Sequence, residues 1–255
     1  MLKQSPRLLI DADVLAYQAC AGAEKIICFE EDSCFPLCSL TDALASFNFK
    51  LNFITETLGS NSFWLCFSDE TGNNFRRSLF PQYKSNRTGK PKPVALRFLR
   101  EHLLKEDKYT LLVPHLEADD VMGILATQGN RETIIVSIDK DLRSIPGKFF
   151  NLGRPEDGVQ EISAEDADHW FMMQALMGDA TDGYPGCSKF GPATAAKALS
   201  GVPRTIKDMW PVVLAAYEKA GFGEEYALLM ARMARILREE DYDFRKHEVK
   251  LWEPK

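Results

Sequence analysis

Histidine is scarce, at four in 255 residues, and the six cysteines at 20, 28, 34, 38, 66 and 187 form no CxxC pair. A zinc site therefore has little to draw on, and the cysteines read as free thiols of a reducing compartment. No apolar run reaches the roughly 18–20 residues that cross a bilayer, so no membrane partner is expected. The opening MLKQSPRLLIDAD meets acid after only a few apolar residues, which does not suit a signal peptide. The expected location is the cytoplasm, the host's if the chain is phage-encoded. No internal repeat or low-complexity tract appears, and the 45% apolar content belongs to a folded chain with a substantial core. Positive charge is also lacking overall, with a formal net charge of -6.

The acids are not scattered. PRLLIDAD reads as a buried strand ending at Asp11 and Asp13, and NSFWLCFSDE as a second ending at Asp69. YTLLVPHLEADD is a third, leading into a helix DVMGILAT, and RETIIVSIDKD is a fourth, ending at Asp139 and Asp141. Between the first two, Leu40, Leu44, Phe47, Leu51, Ile54 and Leu58 recur at helical spacing and stop at Gly59. Alternating strands and helices predict an α/β fold with a mainly parallel central sheet and flanking helices. Ligands of such sheets bind beyond the carboxyl ends of the strands, where these acids gather.

The domain reading is an α/β core over residues 1–160 and a helical region over 161–255, acting as one catalytic unit. Residues 73–108 hold ten Lys and Arg against three acids. Within this basic segment, PVALRFLREHLLKE predicts a helix with Pro93 near its start. SAEDADHWFMMQALMGD predicts a helix capped by Ser163 and closed at Gly178. GDATDGYPGCSKFGPATAAKAL then gives a glycine-rich turn and a new helix entered through Pro192, a hairpin element over about 166–199. Further helices are expected at 204–220 and 223–238, and an edge strand or extension at EVKLWEP.

Carboxylates this close repel one another unless cations sit among them. Two hard divalent ions about 4 Å apart could take such ligands and clamp a phosphodiester. The candidates are Asp11, Asp69, Glu117, Asp119, Asp120, Asp139, Asp141, Asp179 and Asp182. Setting those nine aside from the 37 acids leaves 28 against 31 Lys and Arg, a mildly basic body suited to a polyanion. Asp13 is left out, because strand alternation gives no guide once the strand has ended. Lys84 and Arg87, placed on one helical turn, would face one way and grip a scissile phosphate. Tyr17 is a candidate to stack on a base. The hairpin turn around Gly186 and Gly191, with the helix start that follows, offers backbone amides to a duplex phosphate.

LLIDADVLAY, FSDETGNNFRRSLFPQYKSNR, LEADDVMG, SIDKDLRSIPG, GDATDGYPG and MARILRE, in this order, resemble the flap endonuclease / phage 5′→3′ exonuclease superfamily. Within it the chain is most similar to the compact exonucleases of podophages related to phage T-seven. The resemblance implies a PIN-like/FEN-like fold with a helical arch segment and a C-terminal helix-hairpin-helix region. It implies a 5′→3′ exonuclease and 5′-flap endonuclease acting on duplex DNA ends and on RNA-primed ends (RNA–DNA hybrid), through two Mg²⁺ with Mn²⁺ as a substitute. Roles in replication, primer removal and recombination alongside replication proteins follow from it. It groups Asp11, Asp69, Glu117 and Asp119 around one ion and Asp139, Asp141 and Asp179 around the other, with Asp119 near both and catalytic. Asp120 and Asp182 become ligands or their supports, and Lys84 and Arg87 become catalytic cations of the arch. The DNA contacts it implies are Tyr17, Arg76, Arg77, Tyr83, Lys84, Arg87, Lys90, Gly186, Lys189, Gly191, Thr194 and Lys197. Where the family's hairpin reads GxGxKTA, this chain has SKFGPATA, with Lys189 in place of a glycine and Ala193 in place of the lysine. A K⁺ ion at that turn is thereby questioned, and Lys189 bears a backbone cost if its position needs positive φ. The alternatives are a PIN-like ribonuclease and a non-catalytic protein that binds DNA ends or junctions. Oligomeric state is left open.

Overall fold

The computed structural model describes residues 5–254 except 31, 32, 73, 88 and 90. Its centre is β1 (Arg7–Asp11), whose Leu8, Leu9 and Ile10 are wholly buried. In chain order the other strands are β2 (Lys25–Glu30), β3 (Ser33–Leu37), β4 (Phe63–Phe67), β5 (Thr110–Leu112), β6 (Thr133–Ser137), β7 (Gly147–Asn151), β8 (Val159–Ile162), β9 (Tyr242–Asp243) and β10 (Glu248–Val249). A six-stranded sheet runs β5-β4-β1-β6-β7-β8, parallel throughout except for β8. β1 pairs with β4 through Leu8 and Phe63 and with β6 through Arg7 and Thr133, so the ends of these strands lie side by side.

Successive residues of a strand point to opposite faces, and the core follows that rule. Leu8, Ile10, Leu65, Phe67, Ile134 and Val136 pack beneath α1 (Ala12–Ala23), α2 (Leu40–Thr57) and α4 (Leu96–Glu106). Leu9, Cys66, Ile135 and Phe149 face α5 (Ala118–Thr127) on the other side. A third cluster joins α6 (Ala164–Met177), α7 (Pro192–Ala198), α8 (Ile206–Lys219) and α9 (Glu224–Ala234) around Phe171, Trp210 and Tyr217. The Ser163 cap and the Gly178 stop of α6 are where the sequence places them. The terminal segment forms the short β9–β10 hairpin. Among the described residues, no helix is long and apolar enough to cross a membrane.

Two sequence expectations need correction. β2 and β3 form an antiparallel hairpin in which Cys28 stands opposite Cys34, and this pairing brings the two thiols into a disulfide. The reading of six free thiols fails there; Cys20, Cys38, Cys66 and Cys187 remain free. Among the described residues, the part of the expected helical arch that precedes α4 is mostly not helical. It contains only α3 (Phe75–Leu79) and a single 3₁₀ turn over Ser85–Arg87. Pro81, Pro91 and Pro93 interrupt helical pairing, and Lys84 itself has φ 55°, outside any right-handed helix.

Candidate active site

Each strand end delivers its acid for a local reason. Asp11 closes β1 and caps α1, accepting from the Val14 amide at 3.1 Å. Its other oxygen accepts from the Ser137 hydroxyl at 2.7 Å, and that hydroxyl accepts from the Asp139 amide at 3.0 Å. Ser137 therefore ties the acid of β1 to the acid beyond β6. Asp69 is held by amides of Thr71 at 2.9 Å and His115 at 2.8 Å. Glu117 and Asp119 stand at the start of α5. Asp179 accepts from the amides of Thr181 at 2.6 Å and Asp182 at 3.2 Å, which fixes the turn after α6.

An open cleft of about 810 Å³ runs along this edge, bordered by Asp11, Asp69, Glu117, Asp119 and Asp139, with Tyr17 at its rim. Behind it lies a void of about 20 Å³, room for a single small occupant. Five carboxylates line that void: Glu117, Asp119, Asp139, Asp141 and Asp182. Glu117, Asp119 and Asp139 border both spaces, so the void and the cleft share one wall.

The electrostatics divide the acids into two kinds. Burial, then the charge of Asp13, pushes Asp11 up to about 7. Burial, then Asp139 and Asp179, pushes Asp141 up to about 7. Asp119 is raised well above the usual carboxylate range, by burial and by the charges of Asp139 and Asp11, and burial raises Asp139 too. Glu117 goes the other way. Burial opposes its charge, but Lys84 and Arg76 outweigh burial and hold it at about 2. Asp69 is likewise lowered, because its backbone donors outweigh a slight burial.

Do these residues fit divalent cations? Asp141 Oδ1 is buried without a hydrogen-bond donor, as is the Gln174 Oε1 atom beside the same void. An acceptor without a donor, among carboxylates that oppose one another's charge, is a set of oxygens that a hard cation would satisfy. Among the described residues, no three acidic, histidine or cysteine side chains are drawn together into a ready ligand set. Glu117 shows why. Its Oε1 is taken by Lys84, and its Oε2 accepts from Tyr83 at 2.9 Å and Arg76 at 3.2 Å. The chemistry of the donors fits, and Lys84 competes with an ion for the Glu117 carboxylate.

Several of the residues expected here play other parts. Asp120 is fully buried and is gripped by Arg76 through two hydrogen bonds of 2.7 Å, while the Leu237 amide reaches it at 3.1 Å. It holds a guanidinium, not a metal. Arg76 is correspondingly interior and does not face DNA. Tyr83 is also interior, its hydroxyl between Glu117 and Asp182. Lys84 reaches Glu117 and Asp182, and Arg87 pairs with Asp182 at 2.5 Å, so the two cations do share one target without sharing a helix. Gly186 is buried in the turn. Its φ of 65° and the 2.6 Å that an added Cβ would leave to the Leu176 carbonyl oxygen both demand glycine. Gly186→Ala is expected to cost more than about 1 kcal/mol, read as a lower urea midpoint.

Lys189 does adopt φ 66°, the left-handed position that its substitution for glycine made costly. Arg77, Lys189, Thr194 and Lys197 are exposed, Gly191 caps α7, and Tyr17 is 47% exposed. Lys90 lies outside the described residues. Sequence reasoning missed Asp13, Ser68, Arg100 and Ser137. The Asp-x-Asp spacing pointed at the first, and nothing in the pattern pointed at the others.

Residues 6–164 match the family described as 5′-3′ exonuclease, N-terminal resolvase-like domain. The chain is 30% identical to an exodeoxyribonuclease of Enterobacteria phage T3, over 97% of this chain and 93% of that one. It is equally 30% identical to an exonuclease of Escherichia phage T7, over the same shares. A flap endonuclease Xni of Shewanella is 30% identical over 64% of this chain and 68% of its own length. Among solved structures, T5 5′-exonuclease with bound divalent zinc ions superposes with a TM-score of 0.65 at 14% identity, covering 90% of this chain and 88% of that one. That likeness speaks for the fold, a mostly parallel sheet with flanking helices.

Proposed function

The chain belongs to the 5′-3′ exonuclease family, and from that premise we propose that it hydrolyses phosphodiesters at the 5′ ends and 5′ flaps of duplex DNA with two divalent cations. The observation that carries this reading is the carboxylate-lined void with its unpartnered Asp141 oxygen, sharing a wall with a cleft that Lys84 and Arg87 line. Asp11, Asp69, Glu117 and Asp119 would hold one ion, and Asp139, Asp141 and Asp179 the other, with Asp182 in support. Bound ions of this kind lower the pKa of a water and neutralise charge on the phosphate. Mg²⁺ suits an all-oxygen set, and Mn²⁺ serves in its place.

The protein's own contribution is placement. Asp11 and Asp139 are held at one spacing by Ser137. Lys84 and Arg87, now on Glu117 and Asp182, both line the cleft and can exchange a carboxylate for a phosphate. Arg77 at the cleft and Lys189, Thr194 and Lys197 along the hairpin would meet the duplex backbone, and Tyr17 the terminal base. Hydrolysis leaves a 5′-phosphate. RNA-primed ends, and with them primer removal and recombination, extend the same chemistry.

The test is a digestion course on 5′-labelled blunt, recessed and 5′-flap duplexes, and on RNA, with Mg²⁺ and with EDTA. Short labelled products from DNA ends, absent in EDTA, are expected. Preference for single-stranded RNA would favour the ribonuclease reading, and binding of ends without nucleotide release in Mg²⁺ or Mn²⁺ would leave a structural protein. In the same assay Lys84→Ala should lose roughly a hundredfold in turnover. Its melting temperature should change little, since Glu117 keeps Arg76 and Tyr83. Unchanged turnover removes Lys84 from the mechanism.

A further inference from the structure

Asp13 stands two residues after a proposed ligand, yet its carboxylate is turned to a different set of partners. Its Oδ2 accepts from the Ser68 amide at 2.8 Å, and its Oδ1 accepts from Arg100 Nη1. Arg100 Nη2 donates in turn to the Ser68 carbonyl. Three residues distant in sequence thus close a ring, with both backbone groups of Ser68 inside it. The third polar group of Ser68, its hydroxyl, accepts from the Ala118 amide at 3.0 Å. Arg100 comes from α4, lies 4.9 Å from the Phe67 ring centroid and has an 11% exposed side chain.

The neighbours of this ring give it meaning. Asp13 follows Asp11, Ser68 immediately precedes Asp69, and Ala118 sits between Glu117 and Asp119. All three segments proposed to supply the first cation's ligands are therefore bonded to one centre. Stability alone is a weak reason for such a centre. The Asp13 side chain is 32% exposed, and an exposed ion pair adds little while a buried one is often no more stabilising than apolar side chains of the same volume. Apolar side chains could not, however, fix the amide and the carbonyl of Ser68 together.

We propose that Asp13, Arg100 and Ser68 form a positioning clamp that holds the Asp11, Asp69 and Glu117–Asp119 segments at one spacing, and that this spacing sets how tightly a divalent cation binds. The proposal rests on the nuclease reading above. Arg100 is a positioning residue in it, acting through Asp13 and Ser68, and its fork geometry matters as much as its charge.

The test compares wild type with Asp13→Asn, Arg100→Met, Arg100→Lys and the Asp13→Asn/Arg100→Met pair. Mn²⁺ affinity is read without DNA from the resonance signal of free Mn²⁺, kcat and KM from a 5′-labelled duplex, and melting temperature in EDTA. Asp13→Asn and Arg100→Met should each weaken Mn²⁺ binding about ten- to a hundredfold and lower kcat at fixed Mn²⁺, with KM unmoved. The pair should be no worse than its worse member, because both act on Ser68. Arg100→Lys should recover only part of the loss. If Arg100→Met does not fold, Asp13→Asn and Ser68→Ala carry the same readings. Unchanged Mn²⁺ affinity with raised KM would make Arg100 a DNA contact and overturn the clamp, as would additive losses or losses that merely follow the melting temperature. Wild type that neither binds Mn²⁺ nor cleaves with it would overturn the nuclease reading and the clamp with it.

Discussion

Asp119→Asn should abolish cleavage while leaving the metal-free protein as stable as before, or more so. Asp119 borders both the small void and the open cleft, and the charges of Asp139, Asp11 and Glu117 all bear on it. In the metal-free protein, removing its charge relieves repulsion from Asp139 and Asp11 that Lys84 only partly offsets. The same change takes a shared ligand from the proposed ion pair. Bound ions contribute several kcal/mol to phosphodiester hydrolysis, and each 1.36 kcal/mol is tenfold in rate. A loss of roughly a thousandfold or more is therefore expected on a 5′-labelled duplex in Mg²⁺. Thermal melts supply the opposite sign. In EDTA the variant should melt at or above wild type. With Mn²⁺ added, wild type should gain stability by mass action, about 2.7 kcal/mol at a hundred times its Kd, and the variant should gain less. A variant that cleaves within several-fold of wild type would remove Asp119 from the site. One that melts well below wild type in EDTA would show that its charge serves the fold.

The contrast between Asp119 and its neighbour marks how far the sequence could be read. Strand ends, the α5 start and the turn after α6 were legible, because apolar runs bounded by acids leave little choice about where the chain turns. Which acid serves which purpose was not. Asp119 and Asp120 are adjacent on a helix and point about 100° apart, so one faces the void and the other the interior. Only the arrival of Arg76 from a segment 44 residues away distinguishes them. The basic segment misled for a related reason. Ten cations in 36 residues made one basic segment suited to a polyanion, yet Arg76 is spent on the buried Asp120, Arg100 on the part-buried Asp13, and Lys84 is held on Glu117. Charge counts carry no direction. The β2–β3 hairpin escaped notice because its apolar side chains are exposed: Phe29 is 78% and Phe35 59% accessible, so no buried face imposed a period.

Arg76→Met should destabilise the protein by about 3–5 kcal/mol, the cost of leaving a buried carboxylate without its partner. The guanidinium has five N–H donors and every one is engaged. Two reach Asp120 at 2.7 Å, one reaches Glu117 at 3.2 Å, and the others reach the carbonyls of Met233 at 3.2 Å and Arg235 at 2.5 Å. These last two lie at the end of α9, so Arg76 fastens the helical region to the start of α5 and to the acid site. With Met in its place, Asp120 keeps only the Leu237 and Glu117 amides, at 3.1 and 3.3 Å. If the uncompensated charge is the dominant cost, Arg76→Met/Asp120→Asn should be more stable than Arg76→Met alone, although Asp120→Asn by itself destabilises. That change of sign, measured in urea as a double-mutant cycle, separates charge burial from lost packing. A double variant as unstable as the sum of its parts would assign the loss to the two carbonyl contacts instead. The catalytic loss has a different cause from that of Asp119→Asn. Arg76 also helps hold Glu117 ionised, so the Arg76→Met/Asp120→Asn protein should fold and still cleave poorly.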